Sequence, residues 1–241
     1  GRQVCVQEML AAADDLVDKT MVRLRSLRYG LPWGRDAHGT IESVEAIDQD
    51  RVSHFVNKTY QPSGAILSVA GRIHWPRLLD TVAELFGDWQ AQPVSPLETS
   101  AATGGSEFIP FDSSQTQIGV AYPSVPYAHP DYFQARGAVG VLSDGMSSRL
   151  FTEIREKRGL CYSVYASCHS LRDEGSVLCY AGTSGERSQE TLDVLLAELT
   201  RLADGIQPSE LQRLKARIKS ALIMQQESSA FRCLSMAGDW Y

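Results

Sequence analysis

Residues 90–106 read QAQPVSPLETSAATGGS, with two prolines, two glycines, five serines or threonines and little apolar content. A stretch of this kind supplies turns and loops rather than a packing face. It therefore divides the chain, and a linker over 91–106 is expected to separate a first domain in residues 1–90 from a second in 107–241. At 241 residues, 43% apolar and 22% charged, the chain has the composition of a globular protein with room for one large or two modest domains.

The two sides of the linker are unequal. Before it, Val4, Met9, Leu16, Val17, Val22, Leu24 and Leu27 recur at a roughly helical period, which predicts a helix over residues 2–27 ended by Gly30 and Pro32. Residues 30–46 are loop and turn material with one short helical piece. Asp48 is placed to cap a helix running to about Tyr60, AILSVAG (65–71) reads as a buried strand, and WPRLLDTVAELFGDW (75–89) as an amphipathic helix with Pro76 in its first turn. One strand cannot make a sheet or cover three apolar helix faces. The missing partners are expected from an N-terminal segment outside this chain or from another subunit. Gly1 and Tyr241 both fall inside helical patterns, as in a piece of a longer protein.

After the linker come strand patterns at 107–111 (EFIPF) and 116–122 (TQIGVAY), then helix from about Asp131 to Leu142 and again from Ser147 to Lys157. Strands follow at 161–171 and 175–182, and helices at 187–203 and from 209 onward, the last opened by a Ser209-x-x-Gln212 capping box and followed by a helical pattern over 228–241. Strands, helices, strands, helices is the order of an α+β domain with a largely antiparallel sheet covered by helices.

A net charge of −6 argues against nucleic acid as a partner. No run approaches the ~18 apolar residues of a membrane span. The five cysteines at 5, 161, 168, 179 and 233 have no C-x-x-C spacing and read as free thiols of a reducing compartment. The histidines at 38, 54, 74, 129 and 169 show no H-x-x-H, H-E-x-x-H or H-x-x-E-H spacing, so local motifs write no zinc site. There is no G-x-S-x-G, and DGMSSRLF (144–151) reads as a helix start capped by Ser147.

REKRGLCY (155–162) places four charged side chains directly before a strand. Taken alone, Arg155 is a helix-terminal arginine, Tyr162 a packing tyrosine and Glu8 a helical acid. Together the segments carry more. GMSSRLFTEIREKRGLCYSVYAS closely resembles the second-half signature of the pitrilysin/insulinase family of inverted zinc metallopeptidases, which includes the mitochondrial processing peptidase. RQVCVQEM is similar to the family helix that supplies the third zinc ligand, LPWGRDAHGTIESVEAI to its loop ending in a Gly-Thr turn, and VNKTYQPSGAILSVAGRI to its Tyr-x-Pro helix-to-strand passage.

The resemblance implies two related domains, each a mostly antiparallel sheet covered by helices, with the first, zinc-bearing domain incomplete here. It implies that Glu8 is the downstream zinc ligand and that Arg155 and Tyr162 are the substrate-binding pair, facing a cleft and holding carbonyl oxygens of an extended peptide. Such peptidases take substrate as an added strand, and GSVLCYAG and AILSVAG are the expected edges. The family's H-x-x-E-H segment is absent from the sequence, and its second acidic residue, seven positions before the glutamate, would fall on Gly1. No catalytic residue is therefore assigned to this chain, and Zn²⁺ belongs to the complete protein rather than being tightly bound by this chain. The implied function is zinc-dependent endoproteolysis of peptides or unfolded segments, with a peptide or protein substrate, a homodimeric or heterodimeric assembly and a bacterial cytoplasmic setting. Two alternatives stand beside it: a non-catalytic peptide-binding or scaffolding subunit of a family heterodimer, and a helix-covered interaction module sharing only the fold.

Overall fold

The computed structural model describes residues 1–91, 93 and 97–240. The chain forms two compact units, Gly1–Val44 with Leu97–Lys215, and Glu45–Pro96 with Ala216–Tyr241. Within the expected linker, residues 92 and 94–96 lie outside the described residues, as does Tyr241 of the expected last helix.

The larger unit is built on a three-stranded antiparallel sheet in the order β1-β3-β2, with β1 at Gln115–Ser124, β2 at Cys161–Ser170 and β3 at Gly175–Ser184. These are three of the expected strands. β3 lies between the other two and is buried along almost its whole length. GSVLCYAG is therefore the centre of the sheet and not an edge, which corrects the expectation: β1 and β2 are its edges. EFIPF forms no strand either. Phe108 is exposed, and Glu107 is drawn to Arg23 at 2.7 Å.

Both faces of the sheet are covered. On one, Cys161, Ala166, Val177 and Cys179 meet Val139 and Leu142 of α6 (Tyr132–Ser143), Leu150 and Ile154 after it, and Leu195 of α7 (Ser188–Arg201). On the other, Leu178 and Tyr180 pack on Met21 of α2 (Leu16–Arg28), with Val17, Leu24 and Tyr165 around them. The approach of α2 requires Gly119, where a Cβ would stand 3.2 Å from Thr20 Cγ2 and 3.3 Å from Leu24 Cδ2. Tyr29, fully buried, closes this side: its hydroxyl donates to the His169 carbonyl (3.1 Å) and lies 2.9 Å from His169 Nδ1. The helix expected over 2–27 is two helices. Asp15 is extended, its carboxylate accepts from the backbone N–H groups of Val17 and Asp18, and it caps α2 where α1 (Arg2–Asp14) ends. Within the expected linker, the N–H of Gly104 donates to the Leu27 carbonyl and Ser100 Oγ accepts from the N–H of Leu31, both at 2.8 Å.

Arg149 joins α7 to the start of α8 (Pro208–Gln226). It binds both carboxylate oxygens of Glu210 at 2.8 Å and donates to the carbonyls of Gly205 (2.8 Å) and Arg201 (3.3 Å). Glu210 also accepts from the N–H of Gln207 at 2.8 Å. The reciprocal capping bond is thus made by Glu210 to Gln207, two residues earlier than the Ser209–Gln212 box, where buried Arg149 fixes the Glu210 carboxylate.

The expected short helical piece is α3 (Ile41–Glu45); the smaller unit holds α4 (Gln49–Thr59), α5 (Trp75–Phe86) and α9 (Ser229–Trp240), and none of its described residues is buried. Asp48 caps α4 as expected, accepting from Arg51 N–H at 2.8 Å. AILSVAG, however, forms no strand. Its Ser68 hydroxyl donates to the Cys233 carbonyl and the Cys233 thiol to the Ser68 carbonyl, while Ile66, Leu67 and Val69 stay exposed. A strand exists only against another backbone, and no described residue offers one here.

Glu210 is held down to a pKa of about 2, first by its hydrogen bonds from Arg149. A carboxyl depressed below its ordinary 4.5 stabilises the fold above that value, and the contribution drains as pH falls toward about 2. In urea titrations Glu210→Gln is expected to remove that part of the acid-side slope. Arg149→Ala, which strands a part-buried carboxylate, is expected to cost about 1.5–3 kcal/mol at neutral pH. In limited proteolysis, the first cuts are expected within 45–91 and 216–240, where no residue is buried; first cuts within 115–184 would contradict the packing described.

Candidate functional site

The segment between Leu150 and Tyr162 departs twice from regular geometry. Phe151–Glu156 is a π-helical turn, in which the N–H of Lys157 reaches back five residues to the Thr152 carbonyl at 2.9 Å. The turn stops at Gly159, whose φ of 56° is the left-handed conformation that glycine adopts without strain. Its closing bonds, Gly159 N–H to Arg155 O (3.0 Å) and Leu160 N–H to Ile154 O (2.9 Å), each span one residue more than in the usual glycine stop of an α-helix.

The second departure is a β-bulge. Cys161 opposes Thr183 and Ser163 opposes Gly182, so β3 advances one residue while β2 advances two, and Tyr162 is the unpaired extra. The bulge changes which face each side chain takes. Cys161 and Val164 both turn into the core layer, and Tyr162 is thrown outward, 82% exposed.

Sequence-predicted Arg155 and Tyr162 come together here. The Arg155 guanidinium lies 5.2 Å from the Tyr162 ring centroid and 4.8 Å from that of Phe151. The other charges of REKR are accounted for differently. Lys157 and Arg158 both bind Glu153, at 2.7 and 2.8 Å, and these bonds hold the Glu153 carboxyl below its usual pKa. Glu156 is exposed. Arg155 enters no ion pair among the described residues, which leaves its N–H edge open to a ligand.

The turn between the pair is pinned from behind. Arg187 donates to the carbonyls of Gly159 (2.6 Å) and Arg158 (2.9 Å). Buried Thr183 donates to the Leu160 carbonyl at 2.6 Å, and Thr191 Oγ1 stands 3.1 Å behind it. Phe151, Glu153 and Arg187 were missed by the sequence reading. Only the i, i+4 spacing of Phe151 to Arg155 and of Glu153 to Lys157 could have marked the first two, and nothing local marks Arg187.

Sequence-predicted Glu8 sits on α1, exposed, and forms no ion pair among the described residues. A catalytic zinc site takes three protein ligands. Among the described residues no group of three or more His, Cys, Asp or Glu side chains could hold a metal. The described residues do not by themselves make a zinc site. The cysteines are free, and burial raises the pKa of Cys161 and takes Cys179 up to about 12, which favours the thiol over the reactive thiolate in both. No helix of the described residues is long and apolar enough to cross a membrane.

A family model described as the peptidase M16 inactive domain matches residues 46–218. An uncharacterized zinc protease of Rickettsia felis is 27% identical over 232 residues, 95% of this chain and 56% of the relative. One of Streptomyces coelicolor is 31% identical over 210 residues, 81% of this chain and 45% of the relative. The chain thus spans about half the length of the curated relatives it matches. Among solved structures, the peptidase M16 inactive domain from Pseudomonas fluorescens superposes with a TM-score of 0.81 at 23% identity, covering 90% of this chain and 54% of that one. A chain of complex III2 from Candida albicans does so with 0.76 at 21%, covering 98% and 59%. Identity this low speaks for the fold alone. The family model covers most of the chain, and the chain belongs to the peptidase M16 family through its inactive domain.

Proposed function

We propose that this chain is the peptide-holding part of a zinc-dependent metalloendopeptidase that cuts peptides or unfolded protein segments. The observation that carries it is Arg155, unpaired and laid against the exposed ring of Tyr162 at a β-bulge. The guanidinium donates from its free edge to backbone carbonyl oxygens of an extended peptide, and the phenol OH donates to another. Donors of this kind bind main chain with little demand on sequence. The pinned turn keeps the two at a fixed separation, so little ordering is left to the moment of binding. Residues 1–90 are the end of a first domain and 107–241 most of a second, joined over 91–106, in a longer cytoplasmic protein. There Glu8 serves as one ligand of a zinc ion, which when bound activates water and polarises the scissile carbonyl. The partner is the substrate peptide, with a second family subunit or a second copy beside it.

A second reading is a non-catalytic peptide-binding or scaffolding subunit of a heterodimer. The description of the matched model as an inactive domain favours it. Both readings require peptide binding, and hydrolysis by the longer protein separates them.

Fluorescence anisotropy of a fluorescein-labelled unfolded casein fragment titrated with this chain tests the shared claim. Arg155→Ala removes a charge-assisted hydrogen bond of about 1.5–3 kcal/mol and is expected to weaken binding about ten- to hundredfold. Tyr162→Phe removes a neutral one and is expected to weaken it about two- to tenfold. Unchanged affinity in both variants would overturn the assignment.

A further inference from the structure

We infer that Phe151 is a positioning residue for Arg155, a role that rests on the peptide-holding reading above. Phe151 precedes Arg155 by four residues on one side of the π-helical turn, and its ring centroid is 4.8 Å from the guanidinium carbon, closer than the 5.2 Å of Tyr162. The guanidinium therefore has two aromatic contacts, one from its own turn and one from the bulge. Contact with the face of a ring holds a guanidinium without using any of its N–H groups. An ion pair would hold it equally well but would consume the donors that a peptide carbonyl needs.

The surrounding charges fit this division. Glu153, the acidic residue two positions before Arg155, is taken up by Lys157 and Arg158 at 2.7 and 2.8 Å. Arg158 donates further to the Glu153 carbonyl at 2.7 Å. Two cations on one carboxylate keep it from a third. Phe151 thus orders the long stem of Arg155 before the peptide arrives, so the rotamer entropy of that side chain is not lost on binding.

The test reads Arg155 itself as well as affinity. In a ¹H–¹⁵N spectrum of the intact chain, the Arg155 Nε–Hε proton is expected upfield of an unstacked arginine because it lies over ring faces. Phe151→Leu, which keeps apolar volume but loses the ring, is expected to move it downfield, and Phe151→Tyr to hold it. With the fluorescein-labelled casein fragment, Phe151→Leu is expected to weaken binding about two- to fivefold when Arg155 is present, the span of an exposed cation–π contact. It is expected to change nothing in the Arg155→Ala background. An Hε at its unstacked position in the unaltered chain overturns the inference, as does a Phe151→Leu effect of equal size in both backgrounds. The underlying reading fails separately: an Arg155→Ala variant that binds as tightly as the parent overturns peptide holding and with it this role for Phe151. An effect of Arg155→Ala without one of Phe151→Leu overturns the role alone.

Discussion

Cys161 and Val164 both turn into the same apolar layer, which a regular pleated strand forbids, because residues three apart on such a strand face opposite ways. The extra residue that makes it possible is Tyr162, and the pairing that forces it is the register of β2 against the buried central strand. Without the bulge, either Cys161 or the set Val164, Ala166 and Cys168 would leave the core. The outward Tyr162 is therefore a consequence of burying everything around it. The π-helical turn before it acts in the same sense, since Ile154 and Leu160 are both buried and hydrogen-bonded to each other across the turn. Arg155 is carried on the one exposed stretch between two fixed apolar points.

This explains why the site was legible in outline and not in detail. Arg155 and Tyr162 stand in REKRGLCY, a motif with enough unusual residues to be recognised, and strands 116–122, 161–171 and 175–182 alternate or run apolar plainly enough to be read. The bulge leaves no local mark, because it arises from two registers that the sequence of one strand does not contain. Phe151 looks like any helical aromatic until the ring is seen against the guanidinium. The split at Asp15 could have been read, since an aspartate two and three residues before backbone N–H donors is an ordinary cap, but a near-continuous apolar period concealed it.

The failures elsewhere have one physical source. AILSVAG and EFIPF have strand composition and form no strand, because pairing needs a second backbone and composition cannot supply it. α4 and α5 follow their patterns closely, down to the cap at Asp48, yet Val52, Phe55, Leu79 and Phe86 remain exposed. Local propensity and capping suffice to define a helix, whereas burial needs a partner surface. The order of the sheet escaped for a related reason: three antiparallel strands can be arranged with any of them central, and the unbroken apolar run from Val177 to Ala181 in β3 was the signal that it is the one flanked on both sides.

Amide hydrogen exchange of this chain, with and without an excess of the unfolded casein fragment, tests most directly whether the Arg155–Tyr162 surface is where a peptide is held. Slowed exchange concentrated in residues 151–163, with β3 unchanged because it is already protected, is the expected result. Slowed exchange confined to other segments, or none at peptide concentrations that saturate the anisotropy signal, would contradict it.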